Sequence, residues 1–250
     1  MIRKFGRILV LPNFFAEGKR KEQVEQTAKR YKTISESTAF MLLLTLLSGY
    51  LNAYTYATRG GIFANMHTGN MTKLGIGLAS GNVAGSWQHL APILAAVLGV
   101  VFSELVRHRF SGIGFGSWQK NMLALEILML VGSAFVATGW HDMLMACLFS
   151  FATEAQLAVF GKWEGRGHAT TICTGNIRNL GQYLYAALSV HDHESLRIAG
   201  LYFVMVFSFA AGAGLGVLLC GPMGTFGSIP AALGFAVLLG SILREEHARN

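Results

Sequence analysis

Charged residues, proline and cysteine are all scarce in this sequence. Asp, Glu, Lys and Arg together make up 13% of the 250 residues, and only 4 prolines are present. Soluble domains carry about 25% charged residues, so this composition argues against an ordinary soluble domain and indicates a membrane protein. The three cysteines are odd in number and lack the spacing of metal ligands, which argues against a disulfide framework and a zinc site.

Familiar catalytic motifs are also missing. The sequence contains no Gly-x-Ser-x-Gly, no His-Glu-x-x-His and no phosphate-binding P-loop, so ATP-driven transport by this chain alone is disfavoured. We predict that the chain is not an enzyme and that it holds no metal and no cofactor. The formal net charge of +7 would suit nucleic acid. Because the basic residues lie in loops beside apolar runs, we predict no nucleic-acid partner.

What the sequence does contain is a series of apolar runs, each long enough or nearly long enough to cross a hydrocarbon core of about 30 Å. The runs cover roughly residues 39–58, 90–106, 122–139, 143–160, 198–220 and 225–243. Residues 1–36 precede them and hold nine Lys or Arg residues and four Glu residues. We predict that this segment is a basic cytoplasmic tail lying on anionic lipid, so the bilayer is the first predicted partner.

One segment occurs twice, 106 residues apart. Thr68-Gly69-Asn70-Met71-Thr72-Lys73-Leu74-Gly75 reappears as Thr174-Gly175-Asn176-Ile177-Arg178-Asn179-Leu180-Gly181. In each copy, polar residues and glycine interrupt a hydrophobic stretch. Matching breaks in the two halves of a membrane protein indicate a solute site between the halves. We therefore predict two membrane repeats, residues 37–142 and 143–250.

The orientation of the halves depends on whether each motif crosses the membrane. If both cross, the halves run parallel; if each enters and returns, every half has three full spans and the halves are inverted. Only the second arrangement puts Arg107, Arg109 and Lys120 on the same side as the basic tail, where positive residues belong. The predicted fold is therefore all-α, with two inverted-topology repeats of about three spans each. Each repeat carries a short or re-entrant Thr-Gly-Asn half-helix, and both termini are cytoplasmic.

The half-helices are predicted at residues 71–80 and 177–187, capped by the threonine of each motif. Their free N–H groups and positive dipole ends favour an anion or a small polar solute near the midplane. The predicted substrate-binding residues are Thr68, Gly69, Asn70, Lys73, Thr174, Gly175, Asn176, Arg178 and Asn52. The alternative is that Thr-Gly-Asn is only a close-packing turn between helices.

Ionisable residues inside apolar runs are candidates for proton or cation sites. Glu154 lies well inside the fourth run, and we predict that it couples protons, with Arg178, Lys73 or His67 as its partner. His67, which directly precedes the first motif, is a second proton-coupling candidate. A structural ion pair is the alternative for Glu154. Cys173 stands where the second copy would have its histidine, so the two motifs differ there. Glu126 is expected near the inside end of its span, where it snorkels or pairs.

The two motif regions resemble the YoaK-like family of bacterial inner-membrane proteins. The resemblance rests on Ser48-Gly49-Tyr50-Leu51-Asn52-Ala53, on Gly60-Gly61-Ile62-Phe63-Ala64-Asn65-Met66-His67-Thr68-Gly69-Asn70 and on Ala169-Thr170-Thr171-Ile172-Cys173-Thr174-Gly175-Asn176. It covers roughly residues 38–243 and implies a multi-pass protein of the inner membrane. The family is a domain of unknown function, so no substrate is implied. Family members commonly carry Asp at the position of Asn52 and Met at that of His67.

Taken together, these patterns predict a multi-spanning transporter or channel for a small polar or anionic solute. The site is expected at the repeat interface, and proton coupling stays open. Two alternatives stay open as well: an intramembrane enzyme acting on a lipid-like substrate, and a membrane accessory or adaptor subunit that binds a partner through the basic tail. A homo-oligomer is compatible with each of them.

Overall fold

The computed structural model of the chain describes residues 33–109, 115–163, 166–171 and 173–249. Its α-helices are α1 (Thr38–Thr58), α2 (His67–Ala79), α3 (Val83–Arg109), α4 (Phe115–Ala134), α5 (Asp142–Val159), α6 (Cys173–Val190), α7 (His193–Met223) and α8 (Ser228–Arg249). Short 3₁₀ helices lie at Ile34–Glu36 and Gly224–Gly227, and two short antiparallel strands, β1 (Lys162–Trp163) and β2 (Arg166–Gly167), pair with each other. Most of the predicted tail, residues 1–32, lies outside the described residues.

Four stretches of the described chain are long and apolar enough to cross a membrane. They are Thr38–Thr58, Val83–Arg109, Asp142–Val159 and His193–Ala248. The last stretch contains both α7 and α8, which are separated by the turn at Gly224, where φ is 57°. The predicted all-α, multi-pass membrane class is confirmed at this level. The third apolar run was predicted too long, because α4 ends at Ala134 and the chain then turns towards α5.

Helix α1 lies at the centre of the bundle, with 72% of its apolar window buried, against 28% for α3 and 22% for the α7–α8 stretch. Its most extensive packing contact is with α7, where glycines let the two backbones approach closely. A Cβ atom at Gly49 would overlap the carbonyl of Phe209, and one at Gly212 would overlap the carbonyl of Leu46. Close approach at small residues is a usual way of packing membrane helices, since lipid provides no hydrophobic drive between them.

A second close helix pair joins α3 to α5. A Cβ atom at Gly99 would overlap the carbonyl oxygen of Phe151, and the rings of Phe102 and Phe151 pack with their centroids 5.4 Å apart. Helix α2 packs on α3, α6 packs on α7, and α4 packs on α8. The pairs α2–α3 and α6–α7 are therefore consecutive along the chain, whereas α1–α7, α3–α5 and α4–α8 join helices that are distant in the sequence.

Polar contacts at the two ends of α1 give the direction of α8. At the start of α1, the backbone N–H of Ile34 donates to Glu245 at 2.9 Å. Near its other end, the Tyr50 hydroxyl donates to the carbonyl of Gly227 at 2.6 Å. Helix α8 therefore runs antiparallel to α1, and the first and last described residues lie at the same end of the bundle.

Candidate functional site

The chain leaving α1 reverses and runs back alongside it. Gly60 and Gly61 permit the reversal, with φ angles of 71° and 73° that favour glycine. The backbone N–H of Asn65 then donates to the Asn52 side chain at 3.3 Å, and the Asn65 amide donates to the carbonyl of Ser48 at 3.3 Å. This first loop thus reaches the middle of α1 before α2 begins. Asn52, predicted to line a cavity, is buried and holds the loop.

A second loop approaches α1 from its other end. It follows α5 and contains the strands β1 and β2. The Trp163 indole donates to the hydroxyl of Thr38 at 3.1 Å, and His168 lies 3.2 Å from the hydroxyl of Thr45. Thr45 and Ser48 are three residues apart, which is about 4.5 Å along a helix axis. Both loops therefore meet α1 within one turn of each other.

The asparagine of each motif ties its helix to its own loop. The Asn70 amide donates to the carbonyl of Phe63 at 2.9 Å and accepts from the N–H of Phe63 at 3.4 Å. The Asn176 amide does the same with Ala169, at 2.7 Å and 3.3 Å. Both asparagines are buried, and both reach the residue seven positions earlier. The repeat is thus a repeat of one backbone clamp.

The predicted half-helix bounds need correction. Helix α2 begins at His67 and α6 at Cys173, so Thr68 and Thr174 lie inside the first turn instead of capping it. Both threonines are exposed. The reason is local: the N–H of Asn70 donates to the carbonyl of Met66 at 3.1 Å, which closes a helical turn ahead of the position where the prediction started it.

The two basic residues predicted to act together lie in different settings. The Lys73 ammonium donates to the carbonyl of Gly61 at 2.9 Å and sits over the rings of Tyr56 and Phe63, at 4.7 Å and 4.8 Å from their centroids. Arg178 is exposed and has no partner among the described residues. Lys73 therefore stabilises the first loop, whereas Arg178 is available to a ligand.

The motif glycines allow close contact between each half-helix and its loop. A Cβ atom on Gly69 would lie 3.3 Å from the ring of Phe63, and one on Gly175 would lie 3.6 Å from the Cβ atom of Ala169. The first contact is tighter than an ordinary van der Waals contact, and the second is ordinary. Glycine is therefore needed for packing at Gly69 more than at Gly175.

Of the three partners considered for Glu154, the structure places His67 beside it. Nε2 of His67 lies 3.3 Å from a carboxylate oxygen of Glu154. Glu154 is 8% exposed and lies in the middle of α5. The neighbouring Thr153 hydroxyl donates to the carbonyl of Ala64 in the first loop at 3.3 Å. Helix α5 therefore places the Glu154 carboxylate beside His67, the first residue of α2.

Further buried polar groups without partners lie on α5 and on the two loops that reach α1, and we call them the central polar belt. Its members are Asn65, Ser150, Gln156, Thr170 and Thr171, each buried and each with a side-chain polar atom that has no hydrogen bond within the described chain. Gln156 has neither amide atom paired and is 0% exposed. A buried polar group left unpaired costs about 1–3 kcal/mol, so water or a solute is the expected partner here.

The sequence alone did not identify the belt as a site. Ser150 and Gln156 lie within the fourth apolar run, which the sequence predicts as a membrane span. Thr170 and Thr171 lie ahead of the second motif, in a stretch that carries the family resemblance. The available signal was the number of polar residues inside that one run, where each must find a partner away from lipid.

A small cavity lies at the turn between α2 and α3. It has a volume of about 290 Å³, and the polar residues that line it include Lys73, Ser80, Asn82, Ser86, Gln88 and His89. His89 is 9% exposed and its Nδ1 atom has no partner in the described chain. The Lys73 ammonium is engaged by the carbonyl of Gly61 and two aromatic rings, so the cavity offers neutral polar groups to a small molecule.

Comparison with known families identifies a match over most of the chain. The model of the family described as "Protein of unknown function (DUF1275)" matches residues 40–242. The membership indicated by the resemblance is confirmed, and the chain belongs to this family. No curated protein and no solved structure matches.

Proposed function

We propose that this member of the DUF1275 family is a multi-spanning transporter or channel for a small polar or anionic solute. The solute site lies at the central polar belt, between two repeats of opposite orientation. One observation carries the proposal: two loops come from opposite ends of α1, each clamped by a motif asparagine, and reach it within one turn. Irregular backbone at that depth belongs against a cavity or inside protein.

The pattern of helix contacts supports two structurally equivalent repeats. The first helix of each half packs on the third helix of the other half, as α1 on α7 and α5 on α3. Each half-helix packs on the helix that follows it, and α4 packs on α8. Exchanging the two halves leaves this pattern unchanged, as a two-fold axis requires. The first half then occupies residues 37–142 and the second residues 143–250.

The course of the first motif supports a re-entrant segment. The loop after α1 returns to Ser48 in the middle of that helix. Helix α2 then leads through the turn at Gly81 directly into α3 and packs against it as a hairpin. Such a path enters and leaves on the same side of a bilayer, which leaves three full spans in the half and makes the second half upside down.

The charges near the two motifs support different roles for them. At the second motif, the exposed Arg178 and the N-terminus of α6 favour an anion. At the first motif, the carboxylate of Glu154 opposes an anion unless a proton neutralises the Glu154–His67 pair. Proton uptake at this pair would therefore accompany anion binding, which is the form of proton coupling that we propose.

The topology is tested by two-sided labelling of single cysteines at Ala84 and Ser189, in a chain lacking Cys147, Cys173 and Cys220. Both positions are exposed and follow the two Thr-Gly-Asn motifs along the chain. We expect reagent from the outside to label Ala84 and reagent from the cytoplasm to label Ser189, with both termini cytoplasmic in the bacterial inner membrane. Labelling of both positions from one side would reject the inverted arrangement.

The function is tested by osmotic swelling of proteoliposomes in solutions of small anions and of neutral polar solutes. We expect swelling with the wild type, loss of it in Gln156→Leu, and normal swelling in Gln182→Leu, a matched change on the exposed side of α6. If no tested solute swells wild-type vesicles faster than protein-free vesicles, the transport proposal fails and the other two functions gain weight.

The two rival functions make different predictions. An intramembrane enzyme would use the His67–Glu154 pair for acid–base chemistry on a lipid-like substrate, and our proposal assigns no such step. An adaptor would depend on the basic tail. Deleting residues 1–32 separates the readings, because a transporter keeps its flux without the tail and an adaptor loses its partner.

A further inference from the structure

A second carboxyl group is buried in the bundle, away from both motifs. Glu126 lies in the middle of α4 and is 2% exposed. Neither of its carboxyl oxygens has a hydrogen-bond partner in the described part of the chain. The expectation that Glu126 snorkels or pairs at the end of a span is therefore wrong. Its burial between packed helices prevents both.

The charged groups that could neutralise Glu126 are engaged or have no contact with it. Lys120, on the same helix, pairs with Glu246 at 2.6 Å, and Glu245 accepts from Ile34. Helix α4 packs on α8, on α5 and on the 3₁₀ helix Gly224–Gly227, and its Trp118 touches α3. Apart from the terminal Arg249 of α8, the titratable or charged residues on those elements are Arg244, Glu245, Glu246 and His247 on α8, Asp142, Cys147 and Glu154 on α5, and His89, Glu104, Arg107, His108 and Arg109 on α3. Within the described chain, none of these forms a hydrogen bond or an ion pair with Glu126.

An ionised carboxylate at this buried position would be destabilised by a large loss of solvation free energy. Burial of an isolated charge without a counter-ion costs far more than burial of the neutral acid. Ionisable residues inside membrane helices are rare and mark proton or ion sites. We propose that Glu126 is a proton-binding site on the buried face of α4, the helix that packs on α8 and α5, and that it is a site additional to the His67–Glu154 pair. The inference stands on the packing around Glu126 and does not require that the chain carry a solute.

Proton binding at Glu126 is linked to the packing of α4 on α8. The closed contact accommodates the neutral acid, whereas the carboxylate needs water and therefore a separation of the two helices. A proton that binds the closed form better shifts the equilibrium towards it. Low pH therefore favours the closed contact, and rising pH favours its opening.

The test uses full-length protein in vesicles and the probe N,N′-dicyclohexylcarbodiimide, which adds to protonated carboxyl groups in apolar surroundings. We compare the wild type with Glu126→Gln, which keeps the size and the neutral charge, and with Glu104→Gln, which removes an exposed carboxylate paired with Arg107. Peptide mapping is expected to find the adduct at Glu126 in the wild type and in Glu104→Gln. The adduct is expected to be lost in Glu126→Gln and to decline as the pH rises.

Infrared spectroscopy provides a second measurement that does not depend on access of the reagent. The C=O stretching band of a protonated carboxyl group is expected at neutral pH in the wild type and in Glu104→Gln, with reduced intensity in Glu126→Gln. Identical bands in the wild type and Glu126→Gln would overturn the proposal, whether or not the reagent reacts. Reagent adducts at other carboxyl groups with none at Glu126, together with unchanged bands, would do so as well.

Discussion

The two loop and half-helix segments share one framework but differ in chemistry. In both, a buried asparagine clamps the backbone seven residues earlier, and the half-helix packs on the span that follows. Only the first segment places a histidine against a carboxylate, since Cys173 takes the position of His67 and Ser48 takes that of Glu154. The Ser48 hydroxyl simply donates to the carbonyl of Leu44. The comparison separates the asparagine clamp, which is present twice and holds both segments in the same way, from the His67–Glu154 contact, which is present once and on which the proposed proton coupling depends.

The largest effect is expected from a substitution at the close crossing of α1 and α7, the helices on which both segments are built. Gly212→Val places a side chain against the carbonyl of Leu46, whereas Gly214→Val, two residues further on, meets nothing within 4 Å. We expect the first variant to lose about 3 kcal/mol or more of stability, because backbone cannot yield, and the second to lose much less. Thermal denaturation of the purified proteins measures the difference. Equal losses of stability in both variants would contradict the close approach of α1 and α7 at Gly212.

The clamp itself is tested by removing each copy. Asn70→Ala and Asn176→Ala each leave a backbone N–H and a carbonyl unpaired, which costs about 1–3 kcal/mol per group. We expect similar decreases in the free energy of unfolding from both. Asn179→Ala removes a hydrogen bond of 3.3 Å from a partly exposed side chain and serves as the milder control. A large effect in only one motif would show that the clamp is not a shared structural device.

The chemical difference is tested by changing the pair that occurs once. Glu154→Gln and His67→Gln are expected to remove the pH dependence of solute flux, because the pair can then no longer take up a proton. Cys173→Ser, at the matching position of the second motif, is expected to keep it. Flux measured in proteoliposomes over a pH series checks the prediction. An unchanged pH profile in Glu154→Gln would leave this residue a structural role only.

The smallest effects are expected at the two basic residues. Lys73→Gln removes a hydrogen bond to Gly61 and contacts with two aromatic rings, so it should lower stability by about 1 kcal/mol. Arg178→Gln changes an exposed side chain and should alter stability by less than about 0.5 kcal/mol while slowing the flux of anions relative to neutral solutes. If Arg178→Gln leaves that ratio unchanged, this arginine does not select the solute.

The class of this protein, its family and the place of its repeat could be read from the sequence. The low charge and the long apolar runs predict membrane helices, because lipid cannot form hydrogen bonds with free backbone N–H and C=O groups. The duplicated motif identified two equivalent segments. The position of Glu154 inside an apolar run and that of His67 directly before the first motif identified both residues as candidates for proton coupling. These are local properties of the sequence, and they do not depend on which helices pack against each other.

Partnership between distant residues was decided by the tertiary structure. Nothing local in the sequence distinguishes Lys73, held by a carbonyl and two rings, from Arg178, which is exposed. Likewise, only the packing of α4 shows that Glu126 is enclosed and unpaired, and only the folding of two loops onto α1 brings the central polar belt to the middle of the bundle. A sequence specifies which groups need partners, whereas burial and the approach of other elements determine which partners they obtain.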